Sequence, residues 1–291
     1  MGRDTDLPLK DLRVLDFTIM LAGPYATMML ADCGAEVLKI ERPGTGDNTR
    51  SIGPFSTTDP RRQAGGFFLS IGRNKKSVTI DLKHPKGIQL ARELVKKSDV
   101  VVENFRPGVM DRLGLGYSEL SRVNPRIVYT SISGFGQTGP YKDRPSFDLI
   151  AQAMGGVMAM TGPKDGPPCK VGPGIGDLWA AGLAAYATMV AVVSAMKTGR
   201  GQHVECAMYD SMLYMIERAI MMYSMAGIVS RPVGNAHPLY APYDCFKTKD
   251  GKYVVLAGHW DNQWRNLCRA MGREDLIEDP RFGSMWDRAQ N

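Results

Sequence analysis

Four short apolar runs, spaced by helix-like stretches, restrict what the first half of this chain can fold into. They are Leu12-Arg-Val-Leu-Asp-Phe17, Glu36-Val-Leu-Lys-Ile40, Asp99-Val-Val-Val102 and Arg126-Ile-Val-Tyr-Thr-Ser-Ile132. Each reads as a buried strand. Gly23-Pro24 opens a helix through Ala31, and Pro85 begins another over residues 87–97, apolar at Ile88, Leu90, Ala91, Leu94 and Val95. Proline suits a first helical turn because its missing N–H would be unpaired there anyway. Strands spaced by helices predict βαβ units, hence an α/β fold with a mainly parallel sheet and helices on both faces. Ligands of such folds gather at the carboxyl ends of the strands. Here those ends are residues 16–18, 41–43, 103–107 and 131–136, all charged, polar or rich in Gly and Pro. The pattern points to a crevice for a polar ligand.

The second half is less regular. Residues 137–176 are rich in Gly and Pro and are expected to cross the surface. A long helix is predicted from Asp177, stopped by Thr198-Gly-Arg-Gly201. Residues 178–196 contain no charge and are long enough to span a bilayer. Ala richness, Gly182, Tyr186, Thr188 and Ser194 make a buried helix the better reading, so no membrane partner is expected. A strand over residues 204–208 and one Met-rich helix over residues 211–226 follow. A second unit is expected to begin near Gly234, with a hairpin of residues 243–248 and 252–257 turned at Lys249-Asp-Gly251, then a helix over residues 262–271.

Charge and cysteine usage narrow the functional classes. Lys plus Arg number 36 and Asp plus Glu 30, a net charge of +6. So small an excess fits an anionic small ligand as well as nucleic acid. Asn74-Lys-Lys-Ser77 adds positive charge without interleaved aromatics, which weakens a nucleic-acid reading. Cys33, Cys169, Cys206, Cys245 and Cys268 form no CxxC pair. Their odd number suits a reducing, cytoplasmic setting. The polar start at residues 1–6 gives no secretory signal and no clear transit peptide; a mitochondrial matrix location stays open for a eukaryotic source. His84, His203, His237 and His259 are isolated, so no metal site is expected.

Asp177 follows Gly172-Pro-Gly-Ile-Gly176 at the start of the long helix. Spacing alone favours a helix N-cap. The sharper alternative is a nucleophilic carboxylate, with Gly174 and Gly176 admitting another molecule close to the backbone. The glycine run only partly mimics a dinucleotide fingerprint, and none follows the first strand. Arg42, Lys83, Arg106 and Arg112 lie at or near predicted strand ends. Singly each reads as a surface charge. Together on one rim they would suit the phosphates of a nucleotide-like ligand. The methionines at 212, 215, 221 and 222 read as core or interface.

Many segments, in order, resemble the class III CoA-transferases, the group of formyl-CoA, acetyl-CoA:oxalate and succinyl-CoA:glutarate CoA-transferases. Among them are Val14-Leu-Asp-Phe-Thr18, Ala22-Gly-Pro24, Lys39-Ile-Glu-Arg-Pro-Gly44, Val102-Glu-Asn-Phe-Arg-Pro-Gly108, Leu113-Gly-Leu-Gly116, Ser133-Gly-Phe-Gly136, Gly176-Asp-Leu178 and Thr198-Gly-Arg-Gly-Gln202. The resemblance implies a Rossmann-like CoA-binding large domain, here residues 1–228. It also implies a smaller α+β domain beginning over residues 229–291, a family pattern that continues beyond Asn291, and an interlocked homodimer. Asp177 matches the catalytic Asp, and Asp148 an acidic position beside it. Arg42, Lys83, Asn104, Phe105 and Arg112 fall on positions that hold CoA, and Leu21 and Ala22 on the first-strand loop of the site. Gly234-Asn235-Ala-His237 resembles a glycine loop that closes over the intermediate.

The implied chemistry moves CoA from an acyl-CoA donor to a carboxylate acceptor through an aspartyl anhydride and an aspartyl-CoA thioester. It uses acyl-CoA as substrate and no permanently bound cofactor. Formyl-CoA transferase carries Gln where this chain has Leu21, which points away from formyl-CoA as donor. The segment from Gly234 to Asp244 looks closer to the oxalate and glutarate enzymes, suggesting a small dicarboxylate. Racemases of the superfamily, which act on α-methylacyl-CoA, place a His before the acidic position. Here Phe147 stands there, and Phe cannot exchange a proton. A racemase and a CoA-binding fragment without turnover are the remaining alternatives.

Overall fold

The structure is a computed structural model that describes residues 7–58 and 64–291; the polar start at residues 1–6 lies outside them. Its strands are β1 (Arg13–Asp16), β2 (Glu36–Glu41), β3 (Lys75–Thr79), β4 (Val100–Glu103), β5 (Val128–Ser133), β6 (His203–Ala207), β7 (Tyr243–Lys247) and β8 (Tyr253–Ala257). Its helices are α1 (Ala22–Asp32), α2 (Gly66–Ile71), α3 (Pro85–Val95), α4 (Val109–Arg112), α5 (Tyr117–Val123), α6 (Asp148–Met154), α7 (Val157–Met160), α8 (Ile175–Thr198), α9 (Met208–Met215), α10 (Glu217–Ala226), α11 (Asp261–Ala270) and α12 (Met285–Gln290).

The chain divides into two compact units. One takes in the residues up to Gly156 together with Gly172–Glu217; the other is Val157–Val171 with Arg218–Asn291. The sequence places the start of the smaller domain after residue 228, with new elements from Gly234; by contacts the units part at Glu217, and the second also draws in Val157–Val171.

In the first unit six strands form one parallel sheet in the order β3-β2-β1-β4-β5-β6. This is the Rossmann strand order, with its switch point between β1 and β4. Alternation along the strands supplies both faces. Leu15, Val101 and Tyr129 lie in register and pack with Ala91 and Val95 of α3 and Leu120 of α5. On the other face Thr130 meets Thr188 of α8 at 2.7 Å, and α8 packs on α1. Burial from both sides explains why residues 100–102 are a plain Val run.

The apolar helix predicted after residue 176 is α8, long and apolar enough by composition to cross a membrane. One face, with Ala180, Ala181, Ala184 and Thr188, is buried within the unit.

Lys75 to Ser77, read from sequence only as added positive charge, open strand β3. Two local expectations are corrected. Residues 137–176 are not all surface crossing, since α6 and α7 form there, with Ala151 and Gln152 of α6 buried. The single helix expected over 211–226 breaks at Ile216, whose ψ of 33° leaves the helical region and separates α9 from α10.

In the second unit, β7 and β8 pair antiparallel as the hairpin sequence predicts. Arg288 of α12 is buried and donates to the carbonyls of Ala241, Phe282 and His259.

Candidate active site

At the switch point, the segment after β1 and the segment after β4 clasp each other. Asn104 accepts a hydrogen bond from the Ile19 N–H and donates to the Ile19 carbonyl, both at 2.8 Å. One amide thus satisfies both backbone groups, as a neighbouring strand would. The loop passes through Met20 at φ 65°, a conformation that β-branched residues resist and that a fixed neighbour helps to hold. Gly23 is required where the loop meets α1, because a Cβ there would sit 2.4 Å from the Thr18 side chain. The resemblance places Asn104 among the positions that hold CoA; its amide bonds to the loop, and the residue also lines the cleft that contains Asp177.

Beneath the loop lies a buried ionic lattice. Lys75 Nζ meets Asp16 Oδ2 at 3.1 Å, with side-chain exposures of 2% and 0%. It also donates to the Pro24 carbonyl and Thr27 Oγ1. Lys39 Nζ donates to the Thr18 carbonyl at 2.6 Å and faces Asp47 Oδ2 at 2.9 Å. Burial raises the Asp16 carboxyl, but Lys75, Lys39 and the Thr18 and Thr27 hydroxyls overcome it and hold the group at about 2. The lattice therefore stays charged and anchors the backbone of Thr18. The sequence alone hid it, because Lys75 and Asp16 lie far apart in the chain.

Two clefts meet at the clasp, sharing Ile19, Phe105 and Val109. The larger, about 590 Å³, carries Arg42, Lys83, Phe105 and Leu113 on its walls. The Arg42 guanidinium bonds to Asn48. The smaller, about 330 Å³, is lined by Leu21, Ala22, Asn104, Phe105, Arg106, Phe147 and Asp177. Phe147 is 70% exposed at its rim. Lys142, Arg144 and Met208 also line it and were missed by sequence reasoning. Only the turn-like Gly139-Pro-Tyr-Lys-Asp-Arg-Pro145 hinted at the first two. The expected cationic rim is divided: Arg42 and Lys83 face the larger cleft, Arg106 the smaller one, and Arg112 shares with Arg106 a third cleft.

Asp177 is not the N-cap of α8. The helix begins at Ile175, its N-cap position is Gly174, and Asp177 lies in the first turn. The orphan N–H of Gly176 is instead capped by Asp148 Oδ1 at 2.8 Å, while Gln152 holds both Asp148 oxygens at 2.9–3.0 Å. Gly176 is needed for this approach, since a Cβ would lie 3.0 Å from the Asp148 carbonyl and 3.1 Å from Ala151 Cβ. Its small size thus serves the packing of α6 on α8.

With the cap supplied by Asp148, the Asp177 carboxyl makes no hydrogen bond or ion pair among the described residues and lines the smaller cleft. Burial first, and the Asp148 charge second, push it up to about 7. A carboxylate held without hydrogen bonds beside an open cleft keeps its lone pairs for an electrophile.

Gly234, Asn235 and His237 belong to the second unit. There the Gly234 N–H donates to the Gly162 carbonyl, and His237 stacks on Tyr240 with ring centroids 3.4 Å apart. The His237 ring also meets Arg218 at 2.7 Å.

Comparison with known proteins fits this arrangement. The family model described as CoA-transferase family III matches residues 9–291. The chain is 50% identical over 281 residues to the succinyl-CoA:mesaconate CoA-transferase of Haloarcula hispanica, covering 95% of this chain and 70% of that one. It is 42% identical over 290 residues to the succinyl-CoA:glutarate CoA-transferase of Mus musculus, covering 99% of this chain and 65% of that one. The solved structure of Rv3272 from M. tuberculosis matches with a TM-score of 0.86 at 34% identity, over 98% of this chain and 74% of that one. A Rossmann sheet, a clasped switch point and an unpaired acid at the head of α8 thus occur in a chain matched by this family almost from end to end: it belongs to CoA-transferase family III and is a CoA-transferase.

Proposed function

We propose that the chain moves CoA from a succinyl-type thioester to a small dicarboxylate, with Asp177 as the covalent carrier. The observation that carries this reading is the Asp177 carboxyl itself, unpaired, raised to about 7 and lining the cleft beside Ala22 and Phe105. Named relatives acting on mesaconate and glutarate support the dicarboxylate class.

In this reading the nucleotide end of CoA lies in the larger cleft, against Arg42 and Lys83, and the thioester passes Phe105 into the smaller one. Asp177 attacks the thioester carbonyl, and the carbon–sulfur bond breaks to release CoA thiolate and leave a mixed anhydride. The thiolate attacks the Asp177 carbonyl, expelling the donor acid and forming an aspartyl-CoA thioester. The acceptor carboxylate then attacks that thioester, releasing thiolate again. Attack of the thiolate on the acceptor carbonyl gives the new acyl-CoA and restores Asp177. No proton is gained or lost overall, so a carboxylate in its charged form suffices. Arg106, Lys142 and Arg144 on the cleft wall favour binding of the anionic acceptor.

A homodimer in the cytoplasm completes the proposal. Large apolar side chains left on the surface of α8, Tyr186 and Met196 among them, suit a subunit contact. Racemase chemistry is disfavoured by Phe147, which cannot serve as an acid or base.

The test is mass spectrometry after incubation with succinyl-CoA and hydroxylamine. A hydroxamate on Asp177, absent from Asp177→Ala, is the expected result, with turnover of the variant reduced by at least about 10³. Full turnover by Asp177→Ala, or exchange of an α-proton into deuterated water without CoA transfer, would overturn the reading.

A further inference from the structure

Glu103 is the last residue of β4 and is 4% exposed. Its position at the carboxyl end of a central strand, one residue before Asn104, makes a buried carboxyl unexpected on hydrophobic grounds. Its Oε2 accepts the N–H of Phe105 at 2.8 Å. The neighbouring strand places Ser131 directly opposite, and the Ser131 hydroxyl also bonds to the carboxyl. From β6, His203 Nε2 lies 2.9 Å from Ser131 Oγ. Which of the two donates follows the tautomer of the ring. The ring is held by stacking on Tyr117 and by the edge of Tyr129, each at 5.4 Å between centroids. No cation pairs with Glu103 among the described residues, and burial leaves its carboxyl up at about 7.

The consequence lies one residue further on. Phe105 lines both clefts, and Asn104, Arg106 and Pro107 line the one that contains Asp177. The turn that carries them leaves the sheet at Glu103, and within it the Phe105 N–H is the donor that Glu103 captures. Asn104 faces the Ile19 loop, so a displaced turn would move both walls of the cleft.

We propose that Glu103 is a positioning residue for thioester binding, braced by Ser131 and His203 and fixing the 104–107 turn through the Phe105 N–H. It touches no reacting atom and acts through Phe105 and Asn104. The proposal rests on the reading that the thioester lies along this turn.

Glu103→Ala and Glu103→Gln separate the role from mere packing. A part-buried donor left unsatisfied at Phe105 corresponds to roughly a tenfold loss of affinity. Glu103→Ala is therefore expected to raise KM for succinyl-CoA and Kd for free CoA about tenfold, with kcat changed less than about twofold. Glu103→Gln keeps an acceptor oxygen and is expected to restore both constants to near wild type. Wild-type constants in Glu103→Ala, or an equal loss in Glu103→Gln, would overturn the role. Should Glu103→Ala fail to fold, hydrogen exchange of the Phe105 amide in the wild-type protein decides. Protection like that of β4 is expected, and exchange at open-loop rates overturns the proposal. An unchanged CoA affinity in Arg42→Ala removes the placement of the thioester, and the inference with it. A weakened Arg42→Ala beside a silent Glu103→Ala removes only the role of Glu103.

Discussion

Two acids of the same unit, the buried Asp16 and the half-buried Asp177, have opposite fates. Asp16 lies at the end of β1 with Lys75 and Lys39 beside it and two hydroxyls bonded to it, and its carboxyl is held at about 2. Among the described residues Asp177 has no cation and no donor, and the charge that affects it, Asp148, repels; its carboxyl rises to about 7. Burial raises both groups, so what separates them is the company each keeps. The paired acid holds the Thr18 backbone in place. The unpaired acid has free lone pairs and lines a cleft. The fold thus confines its fully satisfied charges beneath the site and leaves an unsatisfied one at the surface where chemistry is possible.

The comparison is broken most forcefully from the paired side. Lys75→Met keeps much of the side-chain volume but strips Asp16 of its nearest cation. A buried ion pair that loses one partner costs about 3–5 kcal/mol, because the remaining charge is stranded. Urea denaturation should show a loss of this size near pH 7. The loss should shrink as the pH falls and Asp16 takes up a proton. An unchanged midpoint would mean that Lys39 alone neutralises Asp16.

The paired region was also the part least legible in the sequence. Lys75 and Lys76 read only as added positive charge, yet they open strand β3; Lys76 does pair at the surface with Glu36, but the Lys75 side chain is buried. Its partner lies on β1, two strands away in the sheet, and local pattern carries no trace of such a contact. The unpaired region was partly legible. The apolar runs predicted β1, β2, β4 and β5 and the carboxyl-end crevice, and motif resemblance singled out Asp177 and Asp148. What spacing misjudged was the division of labour between those two acids. A cap contributed from α6 across the chain frees Asp177, and a Gly- and Pro-rich stretch gave too weak a signal for so short a helix. The break at Ile216 was hidden for a related reason, since Met-rich periodicity continues on both sides of it.

From the unpaired side the expected effect is smaller and of opposite sign. The folded-state carboxyl of Asp177 sits above its ordinary value, so the folded chain binds more protons than the unfolded one between about pH 4 and pH 7. Stability therefore falls as the pH rises through that window. Asp177→Asn removes the charge and should stabilise the protein at pH 8 by on the order of 2 kcal/mol. The gain should fade as the pH falls towards about 4 and vanish below it, where the Asp177 carboxyl is neutral in the folded and the unfolded chain alike. Thermal melts of the two proteins at pH 4, 6 and 8 measure this. A variant less stable than wild type at pH 8 would show that the Asp177 charge has a partner after all.

The smallest effect isolates what Asp148 contributes to the contrast. Its charge is the second cause of the raised Asp177 carboxyl, after burial. Asp148→Asn removes that charge while keeping an oxygen for the Gly176 N–H, so the start of α8 should persist. Asp177 would then ionise at lower pH, and the midpoint for adduct formation from succinyl-CoA should move down from about 7 by up to about 1 unit. At pH 6 the variant should therefore form adduct faster than wild type, and at pH 8, where both are ionised, the rates should converge. An unmoved midpoint would assign the raised value to burial alone, and Asp148 would then be a cap and nothing more. An upward shift would mean that the loss of the Gln152 and Gly176 contacts lets the first turn of α8 close further over Asp177, so that burial grows as repulsion disappears.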